Sequence, residues 1–417
     1  MAWLVTILFL LITYYLAKKD IIWGVAWLTF LVPSYLVRMN LFGIPTTALE
    51  LGIYLVFVLF LLRVWRSRTK FKWESIFSIA LVWILIGLVS ALLVSNDPIS
   101  SLGLWKGWIV DPVLVMIVVA CELRYRTQVK FLYQAFVFLL GMMGFLAIWQ
   151  FMTATAVTDD GRVSTFFSSA NYLAMLMVPA LLFVLAKFLK EKSVSWLEIV
   201  FCLMGLSALV LSASYIGLLS FLLGGLFLSW SVFTKNIKGF LLVVLAAVVL
   251  AAFFLMIQPD PERFNNMIDL TERSSVTVRV QVWEVAFNLI KENGLWGVGL
   301  GNFQRSYFNI VGSIFDPPME WRMLHAHNLY LQSWLEMTFF GLLALLAIFI
   351  VWWAKIVKLM KSVDYYWFYG ILAIILAWVV GGFFDTPLYK NDLAFLFWLM
   401  IGVSWGSGEI YLRSIRK

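Results

Sequence analysis

Both histidines of this 417-residue chain stand in a single run, His325-Ala-His327-Asn328-Leu-Tyr-Leu-Gln332-Ser-Trp-Leu-Glu336. An imidazole with the ordinary pKa of about 6.5 can take a proton from a hydroxyl near neutral pH, so the pair offers a general base. Asn328, Gln332 and Glu336 follow at i, i+4 and i+8 of a helix, and this polar stripe must face protein rather than lipid. Two other readings fit the pair: interfacial hydrogen bonding, or the start of a zinc site. The zinc reading needs a third ligand, and no further Cys or His follows on that side of the chain.

Three cations stand in comparable places. Arg162 lies in Asp159-Asp160-Gly-Arg162-Val-Ser-Thr-Phe-Phe-Ser-Ser-Ala-Asn171, where a guanidinium among hydroxyls and an amide suits an anionic, oxygen-rich group. It could equally pair with Asp159 or Asp160 in a solvated loop. The two aspartates alone lack the spacing of a divalent-metal site. Arg279 falls near the start of an amphipathic helix expected over 277–292, with Val282, Trp283, Ala286, Phe287, Leu289 and Ile290 on its apolar face and a C-cap at Asn293-Gly294. A cation there opposes the helix dipole unless an anion compensates, although a solvated face would also accept it. Lys106 and Asp111, in Trp105-Lys-Gly-Trp-Ile-Val-Asp-Pro112, read either as site groups or as interfacial anchors beside tryptophan. The glycines of Gly297-Val-Gly-Leu-Gly301 lack the spacing of a phosphate loop and read as a tight turn.

Positioning these groups is the task of a membrane protein. The chain is 63% apolar and only 13% charged, with 36 Phe and 21 Trp, which excludes a soluble, disordered or disulfide-stapled class. Apolar runs cover 2–17, 21–36, 49–62, 76–94, 109–121, 131–151, 172–188, 196–211, 216–232, 240–257, 328–353, 366–384 and 394–412, giving an all-α integral membrane protein of about 12–13 spans. The first run has no basic leader or cleavage pattern and reads as a retained span. Cys121 and Cys202 both lie in or beside apolar runs and suggest no disulfide.

Alternate loops collect the positive charge: Lys18 and Lys19; Arg63, Arg66, Arg68, Lys70 and Lys72; Arg124, Arg126 and Lys130; Lys187, Lys190 and Lys192; Lys235 and Lys238; Lys355, Lys358 and Lys361; Arg413, Arg416 and Lys417. These loops read as cytoplasmic, and the C-terminus with them. The opposite short loops hold only Arg38, Lys106, Arg162 and Lys390. The organisation expected is an N-terminal bundle over 1–257, an external, partly helical loop over 258–327 and C-terminal helices over 328–417, working as one domain. The net charge of +8 is topogenic and calls for no nucleic acid.

Taken together, these residues resemble the O-antigen ligase superfamily of polytopic bacterial glycosyltransferases, which includes O-antigen polymerases. The resemblance rests on Arg279-x-x-x-Trp283, on Gly-Leu-Trp-Gly-Val-Gly-Leu-Gly-Asn-Phe at 294–303, on His-Ala-His327-Asn328 with Glu336 and Gly341, and on Arg162 with Ser-Ala-Asn171. It implies a metal-independent, cofactor-free, inverting transfer of a glycan from undecaprenyl diphosphate to an acceptor hydroxyl on the external face of a bacterial plasma membrane. The acceptor would be a glycan, a lipid A core or a protein. By the same resemblance His327 is the base, Arg162 and Arg279 bind the donor diphosphate, Lys106 assists them, and Asn328, Gln332, Glu336 and Asp385 support the cavity. The chain departs from the family at Thr338, where the ligase pattern has glycine, and at Ser214-Tyr-Ile-Gly217, where an arginine is absent. No outward arginine has the glycine eleven residues on that polymerases show, which favours a ligase over a polymerase. A polytopic anion transporter using Arg162 and Arg279 is the alternative from another class, although no internal repeat supports it.

Overall fold

A computed structural model describes residues 2–41, 43–68, 73–155, 157–158, 161–191, 193–233, 236–256 and 274–415. The chain folds as an all-α integral membrane protein. Eight of its described helices are long and apolar enough to cross a bilayer, and three shorter apolar ones, Ile21–Phe30, Trp196–Leu211 and Tyr366–Gly381, pack among them. Every apolar run of the sequence falls on a helix. In order these are α1 (Ala2–Lys19), α2 (Ile21–Phe30), α3 (Ala48–Ser67), α4 (Ser75–Val89), α5 (Pro98–Leu104), α6 (Asp111–Glu122), α7 (Arg126–Thr153), α8 (Ala170–Lys190), α9 (Trp196–Leu211), α10 (Tyr215–Val232), α11 (Ile237–Met256), α12 (Ser275–Asn293), α13 (Phe303–Ile314), α14 (Leu329–Met360), α15 (Tyr366–Gly381) and α16 (Asn391–Ile415). A small hairpin pairs Arg38–Leu41 with Ile44–Thr47.

Several runs differ from their expected form, among them two near the start of the chain. The run over 21–36 is helical only to Phe30 and ends in a 3-10 turn, Val32–Leu36, because Pro33 cannot continue an α-helix. The run over 109–121 belongs to a helical stretch that starts at Pro98 and passes through a π-helical turn at Trp105–Val110. That turn carries Lys106. Asp111, read from sequence as either a site group or an interfacial anchor, is buried in protein at 1% exposed.

Residues 258–273 of the expected external loop lie outside the described residues; the rest forms a compact unit with its own core. Val282, Val285, Ala286 and Leu289 of α12 meet Phe303, Tyr307 and Val311 of α13, together with Val298, Ala326 and Leu335. Ser274 caps α12 by accepting from the Thr277 amide at 3.2 Å, and Gly294 at φ +59° ends it. The apolar face differs from the expected one in two places. Phe287 is 52% exposed, and Gln281 takes an inward position, reaching the Tyr307 hydroxyl at 2.5 Å and the Glu320 carbonyl at 3.0 Å. A helix packed against two partners buries a narrow 3.6-residue stripe, so Phe287 falls off it.

The unit over 274–327 is locked into a break in α14. Met337 (φ −117°, ψ 15°) and Thr338 (φ 65°, ψ 170°) leave helical geometry, and the glycine turn supplies the missing partners. The Val298 and Gly299 amides donate to the Leu335 carbonyl at 2.8 and 3.1 Å, the Phe339 amide to the Leu295 carbonyl at 2.8 Å, and the Trp334 indole to the Gly294 carbonyl at 3.0 Å. Gly297 sits at φ +68°, where a Cβ would strike the Leu335 carbonyl oxygen. The tight turn expected from sequence is therefore a plug for a broken helix, satisfying the Leu335 carbonyl and the Phe339 amide, which the bilayer could not.

Thr338 occupies a backbone region that is almost exclusively glycine's, at a cost on the order of 1–3 kcal/mol. We therefore expect Thr338→Gly to raise the melting temperature of the purified protein. An unchanged or lowered melting temperature would show that the side chain, not the break, is what this position requires.

Candidate functional site

His327 and Asp385 lie 58 positions apart in the sequence, and two hydrogen bonds bring them together. The Leu329 amide at the start of α14 donates to the Gly382 carbonyl at 2.6 Å, and the Asn328 side-chain amide donates to the Phe383 carbonyl at 3.1 Å. Asn328 is at the same time the N-cap of α14, its Oδ1 accepting from the Tyr330 and Leu331 amides at 2.9 and 3.0 Å. One side chain thus ties the loop over 382–390 to the helix that follows His327. His327 itself is held at φ +45°, a conformation that costs a non-glycine residue energy and persists only where its surroundings impose it. The Trp283 indole reaches its carbonyl at 3.4 Å.

His327 Nδ1 then stands 3.4 Å from Asp385 Oδ1, an ion-pair separation. Burial would push the Asp385 carboxyl up, but the facing His327 imidazole and the Arg279 guanidinium overcome it and hold the carboxyl below its ordinary value. A carboxylate facing Nδ1 favours the tautomer that carries its proton on that nitrogen.

Arg279 approaches from α12. Its Nε donates to the Phe384 carbonyl at 3.1 Å and an Nη to the Ser275 carbonyl at 2.8 Å, so the guanidinium is fixed beside the Asp385 loop. Arg162 comes from the other side, its Nη1 donating to Asn171 Oδ1 at 3.2 Å. Asn171 and Asp385 line one cavity, whose deeper walls are Met175 and Val178 of α8, Ile216 and Gly217 of α10, and Ala377 and Trp378 of α15. Asn171, Ser214 and Asp385 give this small cavity of about 30 Å³ a polar side, and the two arginines adjoin it, Arg162 through Asn171 and Arg279 through the Phe384 carbonyl next to Asp385. Asp159 and Asp160, read as possible partners of Arg162, lie outside the described residues.

The remaining candidates lie in adjoining layers. His325 Nε2 is 3.1 Å from the Tyr172 hydroxyl. Burial, reinforced by His327 and opposed by Asp385, pushes its pKa down to about 4. So low a pKa makes the neutral His325 a weak base, and its Nε2 is already engaged by the Tyr172 hydroxyl. Unfolded chain binds a proton at its ordinary value, which the folded site refuses until about 4. Stability therefore falls as pH drops through that window. Melting curves across the window should show the slope, and His325→Gln should remove part of it; equal slopes in both proteins would contradict this placement.

Gln332 and Glu336 face inward as the stripe requires. Gln332 Oε1 accepts from the Ala326 amide at 2.7 Å and Glu336 Oε1 from the Phe303 amide at 3.3 Å, so both hold the 274–327 unit to α14. Lys106 goes to Glu50 Oε2 at 2.6 Å and the Pro45 carbonyl at 3.1 Å, in a neighbouring network that also ties Asn391 to Glu50 at 3.1 Å and to the Trp108 indole at 3.2 Å. Its charge is directed at Glu50 rather than toward the two arginines.

Sequence reading missed Glu50, Tyr172 and Trp283 as partners, and used Lys390 only as an outer charge. Glu50 had a signal, as the lone acid opening an apolar run. Lys390 lies within 4.0 to 4.7 Å of the Phe167, Tyr172 and Tyr35 rings and 3.2 Å from Asp392. Burial lowers its pKa against the pull of Asp392. It packs beneath Tyr172 and so beneath His325. Among the described residues no group of three or more His, Cys, Asp or Glu side chains is placed to hold a metal ion.

Residues 199–346 match the family model described as O-antigen ligase. The match supports the resemblance to the O-antigen ligase-like superfamily, and it includes Arg279, His325, His327 and Glu336 while excluding Arg162 and Asp385. No curated protein matches the chain.

Proposed function

We propose that this O-antigen ligase-like membrane protein transfers a glycan en bloc from an undecaprenyl-diphosphate carrier to an acceptor hydroxyl, with inversion and without a metal, on the external face of the bacterial plasma membrane. The proposal rests on the His327–Asp385 pair, on Arg279 held by the Phe384 carbonyl next to Asp385, and on Arg162 held by Asn171, which shares one cavity wall with Asp385. His327 Nε2 accepts the proton of the acceptor hydroxyl as its oxygen attacks the anomeric carbon. The bond from that carbon to the diphosphate oxygen breaks, and the electron pair leaves with the diphosphate. Asp385 stabilises the imidazolium so formed. Arg279 and Arg162 stabilise the charge that develops on the leaving group, a preorganised arrangement that needs no divalent ion. The cavity that Met175, Val178 and Trp378 line is only about 30 Å³, so the polyprenyl tail would stay in the surrounding lipid.

The absent glycine spacing of polymerases favours transfer to a foreign acceptor over extension of the carrier-linked chain. The acceptor stays with the same three classes: another glycan, a lipid A core or a protein. Incubation of purified protein with labelled undecaprenyl-diphosphate glycan, an acceptor panel and excess EDTA tests the reading. Label should move to one acceptor class at an undiminished rate. Activity lost in EDTA and restored by a divalent ion would overturn the metal-free mechanism.

A further inference from the structure

A second outward cavity, of about 680 Å³, opens at the far end of α12. Its polar lining comes from Asn96, Glu292, Asn293, Ser306 and Asn309, with the 56% exposed Trp296 at its edge. The charge pattern sets it apart from the site above, since no Lys or Arg lines it and its one ionisable group is a carboxylate. Phosphate and acidic groups are disfavoured there. The side chains of Asn96 and Asn309 make no hydrogen bond among the described residues, and Asn293 spends one donor on the Leu289 carbonyl at 2.8 Å. These amides present donors and acceptors side by side, which matches the paired donor and acceptor character of sugar hydroxyls. An indole at the rim adds an apolar surface with a polar edge, suited to the C–H face of a pyranose. The volume lies within the range of small-molecule pockets.

The cavity also lies in line with the reaction. Arg279 is near the start of α12 and Asn293 at its end, fourteen residues on, so the two are separated by about 21 Å along the helix. A glycan anchored by its diphosphate at Arg279 and lying along α12 would carry its distal sugars to this point.

We infer that the cavity bordered by Trp296, Asn309 and Asn96 is a subsite for the neutral, hydroxyl-rich distal repeats of the transferred glycan. The inference rests on the transferase reading and gives the protein a preference for long chains. The residues that reach the sugars are remote from the chemistry, so their loss should act on affinity and only for donors long enough to arrive.

The test compares wild type with the Trp296→Ala/Asn309→Ala double variant on a single-repeat and a many-repeat undecaprenyl-diphosphate glycan. KM for the long donor should rise about tenfold, equivalent to 1.4 kcal/mol, with kcat unchanged and the short donor unaffected. Equal effects on both donors, or none on either, would overturn the subsite. A second arm uses the free oligosaccharide released from the same carrier by mild acid and follows binding by saturation-transfer NMR. Binding should survive in Arg279→Ala and disappear in the double variant; binding that persists in the double variant, or is absent from wild type, also overturns it. Wild type that binds this oligosaccharide yet transfers nothing from the intact carrier would instead overturn the transferase reading and leave the subsite standing.

Discussion

His327→Ala should abolish transfer while leaving donor binding intact, because the base touches the acceptor hydroxyl and not the diphosphate. The expected loss is on the order of 10²–10⁴-fold in kcat, the range of a positioned general base. Asp385→Asn should reproduce much of it. The amide keeps the volume but lacks the charge that stabilises the imidazolium, and it can present an N–H to Nδ1 and so favour the unproductive tautomer. Single-turnover transfer, with donor binding measured separately, checks both variants. The two losses should not multiply in the double variant, since both remove one device. A His327→Ala protein that turns over normally would remove this residue from the mechanism, and multiplicative losses would show that Asp385 acts on something other than His327.

The arginines carry the other large effect. Arg279→Ala and Arg162→Ala should each lower kcat by about 10²–10³-fold, as expected when one preorganised stabiliser of developing charge is removed. Arg279→Lys should recover little of it. The guanidinium bonds the Phe384 and Ser275 carbonyls through two differently directed N–H groups, and a single ammonium on a flexible stem cannot hold that plane. Lys106→Ala should behave differently. Its ammonium serves Glu50, so the cost should appear in stability, through a buried carboxylate left unpaired, before it appears in turnover. Steady-state kinetics and thermal melting on the three variants separate these outcomes. A Lys106→Ala enzyme with intact stability and a kcat as low as that of Arg279→Ala would return Lys106 to the diphosphate.

The helices were legible in the sequence because lipid imposes a simple rule on them: apolar runs cross, and the few charges mark where they stop. The loops sorted by charge also fall together in space. Arg126, Lys190 and Tyr365 line one cavity at one end of the bundle, whereas Asn171, Ser214 and Asp385 line another at the opposite ends of the helices they adjoin. Arg162, Arg279 and His327 stood out for the same reason, since a cation or imidazole opposite the positive loops is rare enough to notice.

The connections between distant segments were not legible. Nothing local announces that Asp385 faces His327, because the pairing is set by Leu329 and Asn328 binding the carbonyls of Gly382 and Phe383. Glu50 and Lys106 meet across 56 residues for a similar reason. Thr338 was visible only as a departure from a family pattern. Its φ of 65° shows why glycine belongs there, and the turn over 294–301 shows what makes threonine tolerable. Phe287 misled because a period of 3.6 identifies a face but not its width, which the packing partners decide.

A mass balance in proteoliposomes separates glycan transfer from transport. With protein oriented in vesicles, labelled undecaprenyl-diphosphate glycan in the membrane and acceptor outside, each glycosylated acceptor should be matched by one molecule of undecaprenyl diphosphate released. No labelled glycan should enter the lumen. Labelled glycan or a small anion appearing in the lumen, with the carrier linkage intact and no acceptor modified, would contradict the transferase account and favour a transporter.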